Sequence, residues 1–281
     1  MKRQFDPSQP ELMDQAELID GKPTAELERD LANLRWLNSR FGAHALLRHF
    51  LKRWLSVPPS SVSIFRVLDL ATGEGDLPRE IVSWCRKRKI PILIDAVDQN
   101  AATLAVATER SREFPEIRFH RGDIRFWGEG AWDLVLCSLA LHHFSNEDAV
   151  TVLRNARRLS SRHLLVADLK RNFLGAAGIW LLTSLLLREP MTVHDARLSI
   201  RRAFSFRELG NLAREAGWKS FGQRSFPVTR QALWMDSNTR DAVTNQRLAG
   251  ADRNVRSTVP TGLVTRESPS STARQRPGQQ T

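Results

Sequence analysis

A chain of 281 residues, 41% hydrophobic and 26% charged, can bury a full core and fits one α/β domain with tails better than two domains. Its two cysteines, Cys85 and Cys137, form neither a CxxC pair nor a metal-ligand spacing, which excludes a disulfide scaffold or zinc motif and points to a reduced, cytoplasmic compartment. The net charge of +11 admits nucleic acid or an anionic membrane as partner, but the arginines are spread without a dense basic run, and the absence of tyrosine excludes a tyrosine base.

The residues up to about Lys22 lack the apolar core of a signal peptide, and their polarity predicts a loosely ordered lead. Two helices follow at 3.6-residue spacing: Ala25 to Trp36, with Leu27, Leu31 and Leu34 on one stripe, and Ala43 to Trp54, with Leu46, Leu47, Phe50, Leu51 and Trp54. Val57 to Ser61, VPPSS, marks a turn, so residues 1–60 read as a tail and leading helices packed beside the main domain.

From Val62 to Leu70 an apolar run has the length of a buried strand. Thr72, Gly73, Glu74 and Gly75 then make a tight turn. Asp76 can cap a helix whose apolar face is Leu77, Ile81, Val82 and Cys85, with Pro78 in its first turn. Strand, glycine turn and helix bring free backbone N–H groups and a helix N-terminus up to a ligand. The dinucleotide pattern G-x-G-x-x-G fails at Pro78. Asp69, Ala71, Gly73 and Gly75 instead resemble motif I of class I S-adenosylmethionine-dependent methyltransferases, with Ala71 as a small replacement for the first glycine. The resemblance implies that Asp69, Ala71, Thr72, Gly73 and Gly75 hold the cofactor.

A second strand, Ile90 to Asp98, ends in AVDQN. Asp98, with Gln99 beside it, is placed to accept hydrogen bonds from both ribose hydroxyls, because a carboxylate is acceptor-only and takes two donors. A helix from Ala101 to Arg112 leads to a strand at Ile117 to His120. The same resemblance implies that Asp123 accepts from the adenine amine and that Ile124 packs on the ring. The fourth strand, Trp132 to Ser138, contributes Ser138 at its end, while Cys137 inside the apolar run reads as packing. The loop lacks the (D/N/S)-P-P-(Y/F/W) pattern of amino-methylating nucleic acid enzymes. It carries His142 and His143, then a capping signature at Ser145 and Asp148 for a helix to Leu159. Imidazoles at a strand's C-terminal edge can take a proton near neutral pH or simply orient the loop.

After a fifth strand, His163 to Asp168, the segment Asn172 to Leu187 is apolar, glycine-interrupted and short of the roughly 20 residues a membrane span needs. It reads as an apolar cap over the site, a peripheral membrane contact, or core packing, within an insertion of about residues 171–203. The stretch Val193 to Phe204 that follows holds His194, a third candidate base. Ser205 and Glu208 form a capping box for the next helix, and the resemblance implies that Lys219 to Ser225 and Arg230 to Met235 supply the last two strands. From Asp236 the periodicity is lost, and residues 236–281 read as a disordered tail.

The resemblance spans about Phe65 to Met235. It implies an α/β, Rossmann-like fold: a seven-stranded, mostly parallel sheet with helices on both faces, an N-terminal helical extension and an apolar cap. DLATGEGDL and the segment Leu34 to His44 are similar to ubiquinone/menaquinone C-methyltransferases. The expectation is methyl transfer from S-adenosyl-L-methionine to a small, hydrophobic or aromatic acceptor, at oxygen or carbon. His142, His143 and His194 are the candidate bases, and no metal ligand set is evident. An RNA methyltransferase and a non-catalytic cofactor-binding assembly factor are the alternatives.

Overall fold

The computed structural model describes residues 2–55, 64–185, 189–227 and 229–236. The turn expected at Val57 to Ser61 and residues 237–281 of the tail expected from Asp236 lie outside the described residues; Asp236 itself is buried and pairs with Arg53 at 2.9 Å. Strands β1 (Phe65–Leu70), β2 (Ile92–Asp98), β3 (Ile117–Arg121), β4 (Trp132–Ser138), β5 (Ser160–Leu169), β6 (Gly222–Phe226) and β7 (Arg230–Met235) form one sheet. Its order is β3-β2-β1-β4-β5-β7-β6. The first five strands are parallel, and β7 runs antiparallel to β5 and β6. The order in which the chain adds strands reverses between the parallel β1 and β4, so their C-terminal ends open the crevice where such sheets bind ligands.

Both faces of the sheet are covered, which is why the central strands read as apolar runs without polar alternation. On one face Phe65, Val67, Ile94 and Leu136 pack under α2 (Ala43–Trp54) and α3 (Asp76–Arg86). On the other, Leu68, Leu70, Val135 and Val166 pack under α5 (Asn146–Leu159) and α8 (Phe206–Glu215), around the buried Trp218. Helices α1 (Ala25–Arg40) and α4 (Ala101–Arg110) meet through Leu27, Leu31, Ala102 and Val106. The apolar insertion becomes α6 (Phe173–Leu185) and α7 (Pro190–Arg202), with Pro190 in the first turn of α7, where its missing N–H costs nothing.

The expectation of a loosely ordered N-terminus is overturned. Arg3 donates from Nε to the Arg202 carbonyl at 2.6 Å and from Nη2 to the Phe144 carbonyl at 2.7 Å. The Asp195 carboxylate in α7 accepts from the backbone N–H groups of Leu12 and Met13 at 2.8 and 3.0 Å, opening a short 3-10 turn at Met13–Gln15. From the opposite side, Asn100 Nδ2 donates to the carbonyls of Met13, Asp14 and Ala16. Distant side chains satisfy this backbone, so its order needs no apolar periodicity of its own.

The glycine turn shows where the first motif position matters. Ala71 has φ of 59° and Leu139, just past β4, has φ of 56°, so both strands that flank the crevice end in left-handed residues with a Cβ. That conformation costs about 1–2 kcal/mol for an L-residue. Ala71→Gly removes the strain at an entropic cost of about 0.5–1 kcal/mol, so the variant gains up to about 1 kcal/mol in urea denaturation, and a loss of stability would show that the methyl group packs favourably.

Candidate functional site

The crevice holds a cavity of about 240 Å³ at the C-terminal ends of β1, β2, β4 and β5, closed from above by α1, the Met13–Gln15 turn, α6 and α7. Asp69, Ala71, Thr72 and Gly73 form its wall at the end of β1. The Gly73 N–H donates to Asp98 Oδ2 at 2.9 Å, and Asp98 Oδ1 accepts from the Asn100 N–H at 3.0 Å, so the acid at the end of β2 shapes the turn as well as facing the cavity. Gly75 is absent from the wall. It sits at the N-cap of α3 with φ of 75°, and a Cβ there would come within 3.1 Å of the Phe119 ring; close packing is its role. Glu74 is pinned by Arg35, Arg79 and Arg110, which hold the tip of the turn between α1, α3 and α4.

Gln99, Ile124 and Ser138 also line the cavity. Asp123 does not: Arg125 occupies both its carboxylate oxygens, at 2.9–3.1 Å from Nε and 2.6 Å from Nη2, and holds its pKa below the usual range. The adjacent Gly122 and Ile124 provide the wall in its place. Cys137 is buried within β4 and burial pushes its thiol far up, which suits packing and not nucleophilic attack.

The three histidines part company. His142 is buried; its Nδ1 lies 2.7 Å from Asp168 Oδ1, and its backbone N–H donates to Asp168 Oδ2 at 3.0 Å. His143 Nδ1 lies 2.8 Å from Asp14 Oδ2. The remaining ring nitrogens face one carboxylate: His142 Nε2 is 3.7 Å from Glu11 Oε1 and His143 Nε2 is 3.7 Å from Glu11 Oε2. Burial lowers the proton affinity of His143, but Glu11 and Asp14 outweigh it and raise its pKa to about 10. His194 stands apart. It is half exposed, contacts Asp195 Oδ1 at 2.8 Å and does not reach the cavity, because α7 turns Asp195, Ala196 and Ser199 inward instead.

Glu11, Asp14, Asp168 and Arg230 went unrecognised in the sequence. Asp168 carried a signal, as an acid ending an apolar strand. Glu11 and Asp14 carried none, since the Asp195 and Asn100 bonds that bring them in come from residues more than eighty positions away. Arg230 lies at the start of β7 beside Leu169, buried, with Nε donating to the Phe41 carbonyl and its pKa lowered to about 10 by burial. Its Nη1, like the Thr103 hydroxyl, has no hydrogen-bond partner among the described residues, and both residues line the cavity.

The electrostatics of the cavity invert those of the chain. Seven acidic residues line it (Glu11, Asp14, Asp69, Glu74, Asp76, Asp98 and Asp195) against two arginines, in a protein of net charge +11. Asp69 shows the strain of that arrangement: burial, with Asp76 and Asp98 nearby, raises its pKa to about 7 despite the Thr72 hydroxyl beside it. A ligand carrying positive charge relieves it, and the orphaned Thr103 and Arg230 groups are polar partners for a ligand with acceptor groups. A sulfonium cofactor with an amino-acid end fits this donor and acceptor set.

The expected wall of α6 is corrected in detail. Ile179 and Leu182 reach the cavity, whereas Trp180 is 58% exposed and lies against the Arg197 guanidinium, 5.5 Å from ring centroid to Cζ. No described helix is long and apolar enough to cross a membrane.

Residues 67–162 match the family model of a methyltransferase domain. No curated protein matches the chain. Among solved structures, human N-acetylserotonin methyltransferase, in complex with S-adenosylmethionine, is 18% identical with a TM-score of 0.53, covering 75% of this chain and 56% of its own. The plantazolicin methyltransferase BamL is 16% identical with a TM-score of 0.56, covering 84% and 86%. The CurJ carbon methyltransferase is 13% identical with a TM-score of 0.57, covering 75% and 59%. The chain thus spans between half and three fifths of the length of several larger relatives, and these likenesses concern the fold. Residues 67–162 thus carry the match to a methyltransferase domain, and they lie within a seven-stranded sheet that shares its fold with these methyltransferases.

Proposed function

We propose that the chain transfers the methyl group of S-adenosylmethionine to a small, hydrophobic or aromatic acceptor with an ionisable oxygen or carbon. The observation that carries this reading is the acid-lined, apolar-capped cavity at the reversal point of the sheet. The bound cofactor supplies a methyl group on a sulfonium that is already an activated leaving group, so the protein has to bind, align and exclude water. Asp98, Gln99, Gly122 and Ile124 suit the adenosine end, Asp69 an ammonium, and Arg230 a carboxylate. On the acceptor side, Ile179 and Leu182 meet the Glu11, His142 and His143 cluster, where the acceptor's acidic hydrogen would leave.

Several features support an acceptor of the kind ubiquinone/menaquinone C-methyltransferases use. Leu34, Leu37 and Phe41, from the segment that resembles those enzymes, close the cavity with apolar groups. Helix α6 exposes Phe173, Leu174, Trp180, Leu181 and Leu185, each more than half accessible, which favours a peripheral membrane contact that would deliver a hydrophobic acceptor. The acidic lining disfavours an RNA substrate, whose phosphates would be repelled from it. Incubating a cell extract with the protein and methyl-labelled cofactor, followed by mass spectrometry, tests the reading. A labelled small apolar product supports it. Label in RNA, with activity falling steeply as salt rises, would favour the nucleic-acid alternative, and cofactor binding without any labelled product the assembly factor.

Three outcomes follow from the cofactor and acceptor sides. Asp98→Ala weakens S-adenosylhomocysteine binding ten- to a hundredfold in calorimetry, about 1.5–3 kcal/mol, and unchanged affinity would move the ribose contact elsewhere. The folded Asp69 pKa of about 7 exceeds its unfolded value of about 3.9, so the cofactor-free protein loses stability as pH rises from about 4 to about 7. Asp69→Asn removes that loss: melting curves should show the variant gaining most over the parent at pH 8 and least at pH 4, with weaker cofactor binding. Leu182→Asp impairs acceptor turnover while leaving cofactor affinity within a few fold, whereas Trp180→Ala spares turnover of a soluble acceptor; equal effects would remove α6 from the acceptor wall.

A further inference from the structure

We propose that Glu11, His142 and His143 form a binding site for one divalent transition-metal cation, which holds the acceptor's oxygen during methyl transfer. The inference deepens the acceptor side of the reading above and rests on it. Three ligand-type atoms, one from each residue, lie within 4.8 Å of one another, and the two Glu11 separations are 3.7 Å. Separations of 3.7 Å are too long for hydrogen bonds between the groups. The two separations end on different Glu11 oxygens; a triangle with edges between 3.7 and 4.8 Å has its centre about 2.1–2.8 Å from each corner, so small side-chain rotations bring all three atoms within metal-bond range.

The surroundings aim the ligands. Asp168 and Asp14 each engage the Nδ1 of one imidazole, at 2.7 and 2.8 Å, which fixes the ring and turns its Nε2 toward Glu11. This is the carboxylate-to-histidine arrangement that backs metal-bound imidazoles. Ser199 Oγ donates to Glu11 Oε1 at 2.6 Å and fixes the carboxylate in turn. Two imidazole nitrogens and a carboxylate converge on one gap, where a cation would displace the proton that Glu11 and Asp14 otherwise hold on His143. Asp14 and Asp168 are engaged on the far side of each ring and do not compete for that gap.

Two imidazoles and one carboxylate suit a borderline ion such as zinc, iron, manganese or cobalt better than magnesium or calcium, which prefer an all-oxygen shell. Three protein ligands leave a coordination position open, and all three residues line the cavity. That position fits an acceptor with an ionisable oxygen, a phenol or an enol. On coordination the O–H proton passes to water. The freed electron pair forms the new bond to the methyl carbon, at the oxygen or at its conjugated carbon, as the C–S bond breaks and its pair stays on sulfur. Lewis-acid binding lowers the acceptor's pKa with the oxygen held in place.

The test uses the full chain, stripped with a chelator and titrated with Co²⁺, read by visible d–d absorption and metal analysis, with Zn²⁺ as competitor. The expected result is one cation per chain, with affinity lost by at least about tenfold in Glu11→Gln and in His142→Ala, and by about 10–100-fold in Asp14→Asn. X-ray absorption on the zinc-loaded parent protein should show two imidazoles in the first shell, a measurement that needs no variant to fold. An all-oxygen shell, or affinity unchanged in Glu11→Gln, overturns the site. So does a parent protein that binds S-adenosylhomocysteine in calorimetry yet takes up neither Co²⁺ nor Zn²⁺ at micromolar concentration, a result that leaves the methyltransferase reading standing. Absence of S-adenosylhomocysteine binding would overturn that reading separately, whatever the cation does.

Discussion

The Asp98 carboxylate is the junction on which the site depends. One oxygen accepts the Gly73 N–H and the other the Asn100 N–H, so a single side chain at the end of β2 sets the curvature of the β1 turn and the start of α4. Asn100 then caps α4 through its side-chain oxygen and spends its amide hydrogens on three carbonyls of the N-terminal segment. The glycine turn, the second strand and the strap over the cavity are thereby one hydrogen-bonded unit. Each bond is partly shielded from water, where losing a partner costs more than the bond itself contributes. Movement at any part would be felt by the others.

A second constraint is the concentration of negative charge inside a basic chain. Arginines elsewhere hold backbone carbonyls or neutralise single acids, as Arg35, Arg79 and Arg110 do for Glu74 and Arg125 does for Asp123. Apart from Glu74, the acids that face the cavity are left with hydrogen bonds to N–H or hydroxyl groups or with imidazoles. Burial then makes their charge costly until a cation arrives. The net charge, taken alone, suggests anionic partners; its distribution favours a cationic ligand in the cavity and leaves the outer surface to meet an anionic one.

Helix α6 answers to neither constraint. Of its thirteen residues only Gly175 and Thr183 are buried, and its largest side chains face outward. A core helix would turn Phe173, Leu174 and Leu185 inward, but the face it presents to the molecule is needed by Ile179 and Leu182 at the cavity and by contacts with α7. The result is a wall one helix thick with apolar groups on both sides.

Much of the fold is legible in the chain itself. Strands β1, β2 and β4, buried on both faces, announce themselves as apolar runs, and the capping box at Ser205 and Glu208 forms as its spacing requires. Local physics decides these features: burial of a strand, capping of a helix, and the steric freedom of Gly73 are properties of neighbours in sequence. Asp98 and Ser138 reach the cavity because a strand's end is where its last residue must lie, and Gly73 and Ile124 follow in the turns just beyond β1 and β3. Tertiary structure alone decided the rest. It turned Asp123 to Arg125, His194 out to solvent and Trp180 away from the cavity, since a helix's face is set by what it packs against. It also drew a polar N-terminal segment across the site, placing Glu11 between His142 and His143. Those contacts join side chains about 130 positions apart, held in place by side-chain-to-backbone bonds from Asp195 and Asn100, and such distant bonds leave no periodicity in a sequence.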